Sequence, residues 1–497
     1  MKGRARWLFV VVTLVLVVEA ASSIDVLPRE VRAQRSAQFP MHSALEETAL
    51  VSKAVGNGED VSQDPGLKLD ASGSLHLGYH HDVNGDPRCA HTDPITVTIG
   101  ELYPFTGPLS FFGEPLQRSG QLAVKHLKEA GYKVTTVVTD TETSPTAAVE
   151  AARRLVEDEG VHVLVGAAAS GVTIPVAESV SIPSQVPQIS YASTSPLITM
   201  LPADEGQDFL FRTCASDALQ GVVLAKMVIE EGLRKVSVLY VNNPYGQGLN
   251  DTFKAAFESL GGTVLASVPH DEEPKSSYIS ELQQATEGEP EALVAMSYPC
   301  HAKVYLKEAI DYGYIDNFRF VDGTKSLEII DAVGAEALEG MCGTALGVVN
   351  TVSLEIFNDE YEAEYGEAPS LPFMSNTYDA VIVAALAAYE AQMAGEELTP
   401  IAVRDHLRSV AGPPGERIFP GVDELGRALG LLQEGEDINY IGASGDVNFD
   451  ENGDVAAPVE IWCYKGGCIV GPIEFYCSKC IGMPLSMAYL PLILKNY

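Results

Sequence analysis

The stretch VLVGAAASGVT, residues 163–173, decides how the chain is read. An apolar, β-branched run stops at Gly166 and gives way to three alanines, Ser170, Gly171 and Thr173. Such a run is a buried strand, and the small residues after it let backbone come close to something. At a strand end that opens a helix, unpaired N–H groups and the helix dipole attract an anion without any Lys or Arg. A second stretch, ISYASTSP (189–196), presents Ala192, Ser193, Thr194 and Ser195 in the same way. Either segment alone reads as a helix cap or a Thr-Ser-Pro turn. Both in one lobe read as a ligand-binding edge, with a carboxylate accepting bonds from Ser170, Thr194 and neighbouring amides.

Outward from this edge the pattern is regular. Runs rich in Val and Ile (ITVTIGEL, KVTTVVTD, HVLVGA, PQISYA, KVSVLYVN, GTVLASVP, EALVAMSY, FRFVDG) alternate with amphipathic segments such as SPTAAVEAARRLVEDEG. Near-continuous apolar strands between helices imply parallel sheets covered on both faces. The strands exceed one typical sheet and divide near Thr213–Ser216, which predicts an α/β protein of two Rossmann-like lobes. The ligand is expected in the crevice where strand C-termini meet. The late helix NTYDAVIVAALAAYEAQMAG needs a sheet to cover, so the chain is expected to return to the first lobe.

Composition narrows the function. A length of 497 residues suggests more than one domain, and a net charge of −36 leaves no basic face for nucleic acid. The charge suits a soluble protein held dispersed by self-repulsion. Lys2, Arg4 and Arg6 before WLFVVVTLVLVV (7–18) and EAASS read as a signal peptide over 1–21. The apolar run is too short for a comfortable span, and the alternative is an uncleaved anchor. Residues 22–93, rich in Gly, Asp, Asn and Pro, read as a disordered acidic tether, their histidines as solvated rather than metal-binding. Cys89, Cys214, Cys300 and Cys342 are dispersed, whereas Cys463, Cys468, Cys477 and Cys480 crowd the C-terminus. Behind an export signal, disulfides are a better reading of that cluster than zinc, with pairings open. The final IGMPLSMAYLPLIL is broken by prolines and is not read as a span.

Templates for catalysis fail. Ala168 occupies the position where a nucleophile elbow needs glycine, no P-loop ending follows, and H-E-x-x-H is absent. DVNGD (82–86) and DENGD (450–454) begin like calcium loops but lack the later Gly and Glu, so they read as turns. The expectation is a binding protein, not an enzyme, with no cofactor and no metal.

Seven segments in order, GELYPFTGPLSFFG, VGAAASGVTIPVA, PQISYASTSP, NNPYGQG, SYPCHAKVYLKEAIDYG, TYDAV and GDVNFDENGDV, resemble the type I periplasmic binding proteins, in particular the branched-chain amino-acid binding group. The resemblance runs from about Ile95 to Gly467. It implies two lobes joined by three crossovers, near Cys214, Leu346 and Tyr440. The lobes would comprise 94–214 with 346–439 and 215–345 with 440–470, leaving 471–497 as a Cys-containing extension. It also implies a clamp for an amino acid: Ser170, Ala192 (through its backbone) and Thr194 match it, with Ser193 between them. Phe112, Tyr245 and Tyr298 match aromatic walls. Where the group usually carries an acid, this chain has Thr324, and Asp322 lies just before it. If the loop is shifted, Asp322 answers the ligand's ammonium; otherwise the ligand is an amide or another small acid. The implied function is extracytoplasmic capture of an amino acid or related small carboxylate or amide by a monomer that serves an ABC permease. The alternative is a ligand sensor that presents its closed form to a signalling receptor. A hydrolase on a similar fold lacks its nucleophile–base pair.

Overall fold

The computed structural model describes residues 66–69, 75–78, 96–347 and 352–476. The chain forms two compact units, Met1–His91 and Thr92–Tyr497. In the first, β1 (Gly66–Leu69) and β2 (Leu75–Gly78) pair antiparallel, Leu67 opposite Leu77 and Leu69 opposite Leu75. Part of the stretch read as a tether is therefore an antiparallel strand pair, with leucines alternating along both strands. The remainder of the tether, the signal segment, Cys89, Cys477, Cys480 and the last apolar stretch lie outside the described residues.

All eight expected strands are present in the second unit. The five-stranded sheet has the order β4-β3-β5-β6-β7 and is parallel throughout: β3 (Val97–Tyr103), β4 (Val134–Asp140), β5 (Val163–Val165), β6 (Gln188–Ser190) and β7 (Leu210–Arg212). Helices α1 (Gly113–Glu129), α2 (Pro145–Glu157) and α3 (Ser170–Val176) belong to this lobe. The second lobe holds β8 (Lys235–Val241), β9 (Thr263–His270), β10 (Ala292–Met296), β11 (Phe318–Phe320) and β12 (Cys342–Leu346) in parallel pairing. Around them lie α4 (Asp217–Glu230), α5 (Pro244–Ser259), α6 (Ile279–Thr286) and α7 (Pro299–Asp311).

The chain then returns to the first lobe as α8 (Val352–Tyr365), α9 (Met374–Met393), α10 (Pro400–Ala411) and α11 (Val422–Glu434). Helix α9 is apolar almost all round and nearly wholly buried, packing on α1 and the first sheet. Its one buried charge, Asp379, accepts bonds from Tyr440 Oη at 2.7 Å, Ala443 N at 2.9 Å, and Ser444 N and Oγ at 2.7 and 2.6 Å. The TYDAV segment is thus a clasp that fixes the chain at Tyr440–Ser444.

The third crossover lies later than the expected position near Tyr440. Strands β13 (Glu416–Ile418), β14 (Ile438–Gly442) and β15 (Gly445–Asp446) form a separate small sheet, and β14 packs on α9 and α10. Arg212 N donates to Gly453 O at 2.9 Å, holding the DENGD turn to β7. Only with β16 (Val459–Lys465) does the chain enter the second sheet, followed by β17 (Cys468–Tyr476), both antiparallel. The second sheet so becomes seven-stranded, order β17-β16-β12-β11-β10-β8-β9. Residues 471–476, expected to begin a separate extension, form most of its edge strand. Cys342 and Cys463 stand opposite each other on β12 and β16, with Cα atoms 4.0 Å apart, and form a disulfide. It links one cysteine of the C-terminal cluster to a dispersed one, and Cys468 is free and exposed.

Candidate functional site

A cavity lies between the lobes, at the C-terminal ends of the parallel strands. Its apolar wall comes from Leu109, Phe112, Leu116, Ala168, Ala169 and Phe373. Phe112 closes a short 3₁₀ turn (Ser110–Phe112) ahead of α1, and Phe373 sits in the left-handed region just before α9. The small residues after β5 have two uses. Gly166 adopts φ +130°, and a Cβ there would stand 2.7 Å from Leu102. Ala168 and Ala169 then line the cavity with nothing larger than a methyl group.

Ser170 lines the cavity and accepts the Ser195 amide at 3.2 Å, which leaves its own hydroxyl proton free to be donated. Ala192 and Thr194 line the same side. Thr194 donates its hydroxyl to Asp217 Oδ2 at 2.6 Å, and Asp217 N donates back to Thr194 O at 2.8 Å. Its oxygen therefore faces the cavity as an acceptor. That differs from the carboxylate-donor role expected from sequence and suits an ammonium instead. Ser193 does not reach the cavity. Its Oγ lies 2.7 Å from Thr173 Oγ1 and 3.2 and 3.1 Å from the carbonyls of Ala167 and Ala168, tying the two loops together.

Beneath these loops lies Arg212, fully buried, which the sequence reading did not single out. It forms a two-point pair with Asp454 at 2.6 and 2.8 Å and holds the Ser193 and Ser195 carbonyls at 3.1 and 2.9 Å. Arg212 shapes the edge without offering charge to the cavity.

The second lobe supplies Tyr245 and Tyr298, stacked with centroids 5.6 Å apart and planes at 10°. Tyr245 opens α5, where Asn243 caps the helix through Gly246 N at 3.1 Å and Pro244 fills the first turn. Tyr245 Oη donates to Asp322 Oδ1 at 2.8 Å, as does Gln220 Nε2 at 2.8 Å. Tyr298 Oη accepts from Asn243 Nδ2 at 3.0 Å.

Asp322, not Thr324, is the acid at the cavity. The chain after β11 makes a 3₁₀ turn, Asp322–Thr324, which aims Asp322 at the cavity and turns Thr324 inward. Thr324 Oγ1 accepts from Val321 N at 2.9 Å and lies 2.9 Å from Val321 O, so its hydroxyl is used within the turn. Burial raises the Asp322 carboxyl above the usual range, opposed by its bonds from Gln220 and Tyr245. Burial raises Asp217 further, with the nearby Asp322 charge adding to it. Asp217, Gln220, Leu109 and Phe373 were missed by sequence reasoning. None carries a local signal, because each reaches the site through tertiary packing. No group of three or more His, Cys, Asp or Glu that could hold a metal occurs among the described residues.

The family model for periplasmic binding proteins matches residues 96–421. The chain belongs to that family. Among curated relatives of this periplasmic binding protein, a chemotactic signal-transduction substrate-binding protein of Halobacterium salinarum is 30% identical over 361 residues, 71% of this chain and 83% of the relative. A Leu/Ile/Val-binding protein homologue of Brucella abortus is 29% identical over 54% of this chain and 70% of its own length. Among solved structures, a leucine-binding protein of Thermotoga maritima is 25% identical, with a TM-score of 0.61, covering 77% of this chain and 98% of its own. Family membership makes this periplasmic binding protein a solute binder of extracytoplasmic type, with two α/β lobes. No helix among its described residues is long and apolar enough to cross a membrane.

Proposed function

We propose that the protein captures an α-amino acid with an apolar side chain outside the cytoplasm and delivers it to an ABC permease. One observation carries this reading: an apolar cavity with a single carboxylate lining it, Asp322, and a hydroxyl donor, Ser170, on the opposite lobe. Ser170 and the amides beside it take the ligand carboxylate. The Ala192 carbonyl, Thr194 Oγ1 and Asp322 take the ammonium, and Phe112, Tyr245, Tyr298 and Phe373 enclose the side chain. Ser193 and Thr324 serve by holding the loops. The relatives named for leucine, isoleucine and valine support this ligand class. Export through the 1–21 signal segment belongs to the same reading.

The sensor reading has its own support, because the Halobacterium relative is named for chemotactic signalling. Both readings use the same ligand site and differ in the partner that receives the closed form.

Calorimetric titration of the common amino acids, with isocaproate (leucine without its ammonium) and isopentylamine (leucine without its carboxylate), tests the ligand assignment. Leucine, isoleucine or valine should bind far more tightly than either truncated analogue. Binding of an amide or an aromatic acid, with no amino acid bound, would sink it.

A further inference from the structure

Two acids of the second lobe, Asp217 and Asp322, are buried, and among the described residues neither forms an ion pair with a lysine or arginine. Arg212 attracts Asp217, yet all five of its N–H donors are taken. Asp454 receives two at 2.6 and 2.8 Å, the Ser193 and Ser195 carbonyls two at 3.1 and 2.9 Å, and Thr199 Oγ1 one at 2.7 Å. Lys325 is paired with Glu460. Around the carboxylates, Asp217 Oδ1, Gln220 Oε1 and Thr344 Oγ1 are buried and have no hydrogen-bond partner.

These groups form one cluster. Gln220 lies one turn after Asp217 on α4, and its Nε2 donates to Asp322 Oδ1 at 2.8 Å and Thr344 O at 3.3 Å. That orientation is fixed, because reversing the amide would set its oxygen against a carboxylate. Gln220 Oε1 is consequently left without a donor. Burial of unpaired carboxyls favours a proton on them, and a cation that reaches the same oxygens competes with that proton. An all-oxygen cluster that includes two carboxyl groups is the environment that hard cations take. Calcium asks for about six to eight oxygens, more than this cluster offers.

We propose that, without ligand, the cluster of Asp217, Gln220 and Asp322 holds a hard monovalent cation, sodium or potassium, which the ligand's ammonium displaces. All three side chains belong to the second lobe, and Thr194 of the first lobe bonds only the other Asp217 oxygen, Oδ2, at 2.6 Å. The displacement step rests on the amino-acid reading above; the cation seat does not.

Thermal unfolding of the full ligand-free protein in sodium, potassium or choline chloride at one high ionic strength tests the seat. Equal ionic strength removes general screening of the −36 net charge from the comparison. The midpoint should be higher in sodium or potassium than in choline, which is too large to enter. Asp217→Asn should abolish the increment. If that variant does not fold, sodium-23 relaxation of the wild type, reversed by potassium but not by choline, reads the same seat. Equal midpoints in the three salts, or an increment given only by magnesium or calcium, would overturn the proposal. Leucine should bind several-fold more weakly in the favoured cation than in choline. Equal leucine affinity in all salts refutes displacement alone. Failure of every amino acid to bind refutes the amino-acid reading and displacement with it, while the melting comparison still decides the seat.

Discussion

Replacing Asp322 by Asn separates ligand recognition from stability. Asp322 Oδ1 accepts from Tyr245 Oη and Gln220 Nε2, both at 2.8 Å, and an Asn carbonyl can accept the same two bonds. The second oxygen becomes an NH₂ group, which offers donors where an ammonium needs an acceptor. Loss of one hydrogen bond to a charged group is worth about 1.5–3 kcal/mol. That corresponds to roughly 10- to 150-fold in Kd. Stability should not fall in parallel, since the carboxylate is buried and the amide carries no charge to desolvate. The assay is calorimetry with leucine and isocaproate beside a denaturant melt of each protein. Leucine should weaken by the stated factor, isocaproate should hold or improve, and in choline chloride, where no cation fills the seat proposed above, the ligand-free midpoint should be equal or higher. Parallel loss of both ligands, or a destabilised protein with unchanged leucine affinity, would refute the assignment of Asp322 to the ammonium.

Thr324→Val removes the bond from Val321 N at 2.9 Å and should lower stability by about 1–3 kcal/mol in a denaturant melt. Leucine affinity should fall less in this variant than in Asp322→Asn; the reverse order would restore Thr324 as the contact. Glu101, on β3, is buried and its carboxyl is pushed up to about 8, so the folded chain holds a proton that the unfolded chain releases near 4.5. Stability should therefore decline as pH rises from about 4.5 to 8, at up to about 1.4 kcal/mol per pH unit from this group. Glu101→Gln should remove that slope in melts between those limits, and an unchanged slope would count against it. Reducing Cys342–Cys463, which closes a loop of 121 residues, should lower stability by about 2–4 kcal/mol in denaturant melts with and without reductant. Leucine affinity should change little, because the bond lies on β12 and β16, outside the cavity lining.

The parallel strands were legible because continuous apolar runs between helices have few other solutions. The two loops at Gly166–Ser170 and Tyr191–Ser195 were legible for a similar reason: small and hydroxylated residues at strand ends have a local physical meaning. What escaped depended on long-range pairing. Arg212 and Asp454 meet across 242 residues of sequence, and the DENGD segment shows only a turn until its last acid is placed against a guanidinium. Asp217 reads in sequence as an acidic first-turn residue behind the N-cap Ser216, an ordinary helix start. The choice between Asp322 and Thr324 turned on a 3₁₀ turn, and sequence alone gives no register for so short a loop. The third crossover moved for a related reason: Ile438–Gly442 is as apolar as a strand of either lobe.

The polarity of the site follows from where its protons are already committed. Thr194 has given its hydroxyl proton to Asp217, and Tyr245 has given its own to Asp322. Ser170, by contrast, accepts from the Ser195 amide and retains a proton to donate. One end of the cavity is thereby rich in acceptors and the other retains a donor, before any ligand arrives. Among the described residues, the one arginine acting on this end, Arg212, has its donors taken by Asp454, Thr199 and two carbonyls. On the amino-acid reading, a cationic head group adds the further positive charge, and the apolar wall of Leu109, Phe112 and Phe373 disfavours a second charge farther along. On the amino-acid reading proposed above, selectivity for one ammonium and one carboxylate on an apolar body rests less on the contacts themselves than on the hydrogen-bond directions imposed by Asp217 and Gln220, neither of which is among the residues lining the cavity.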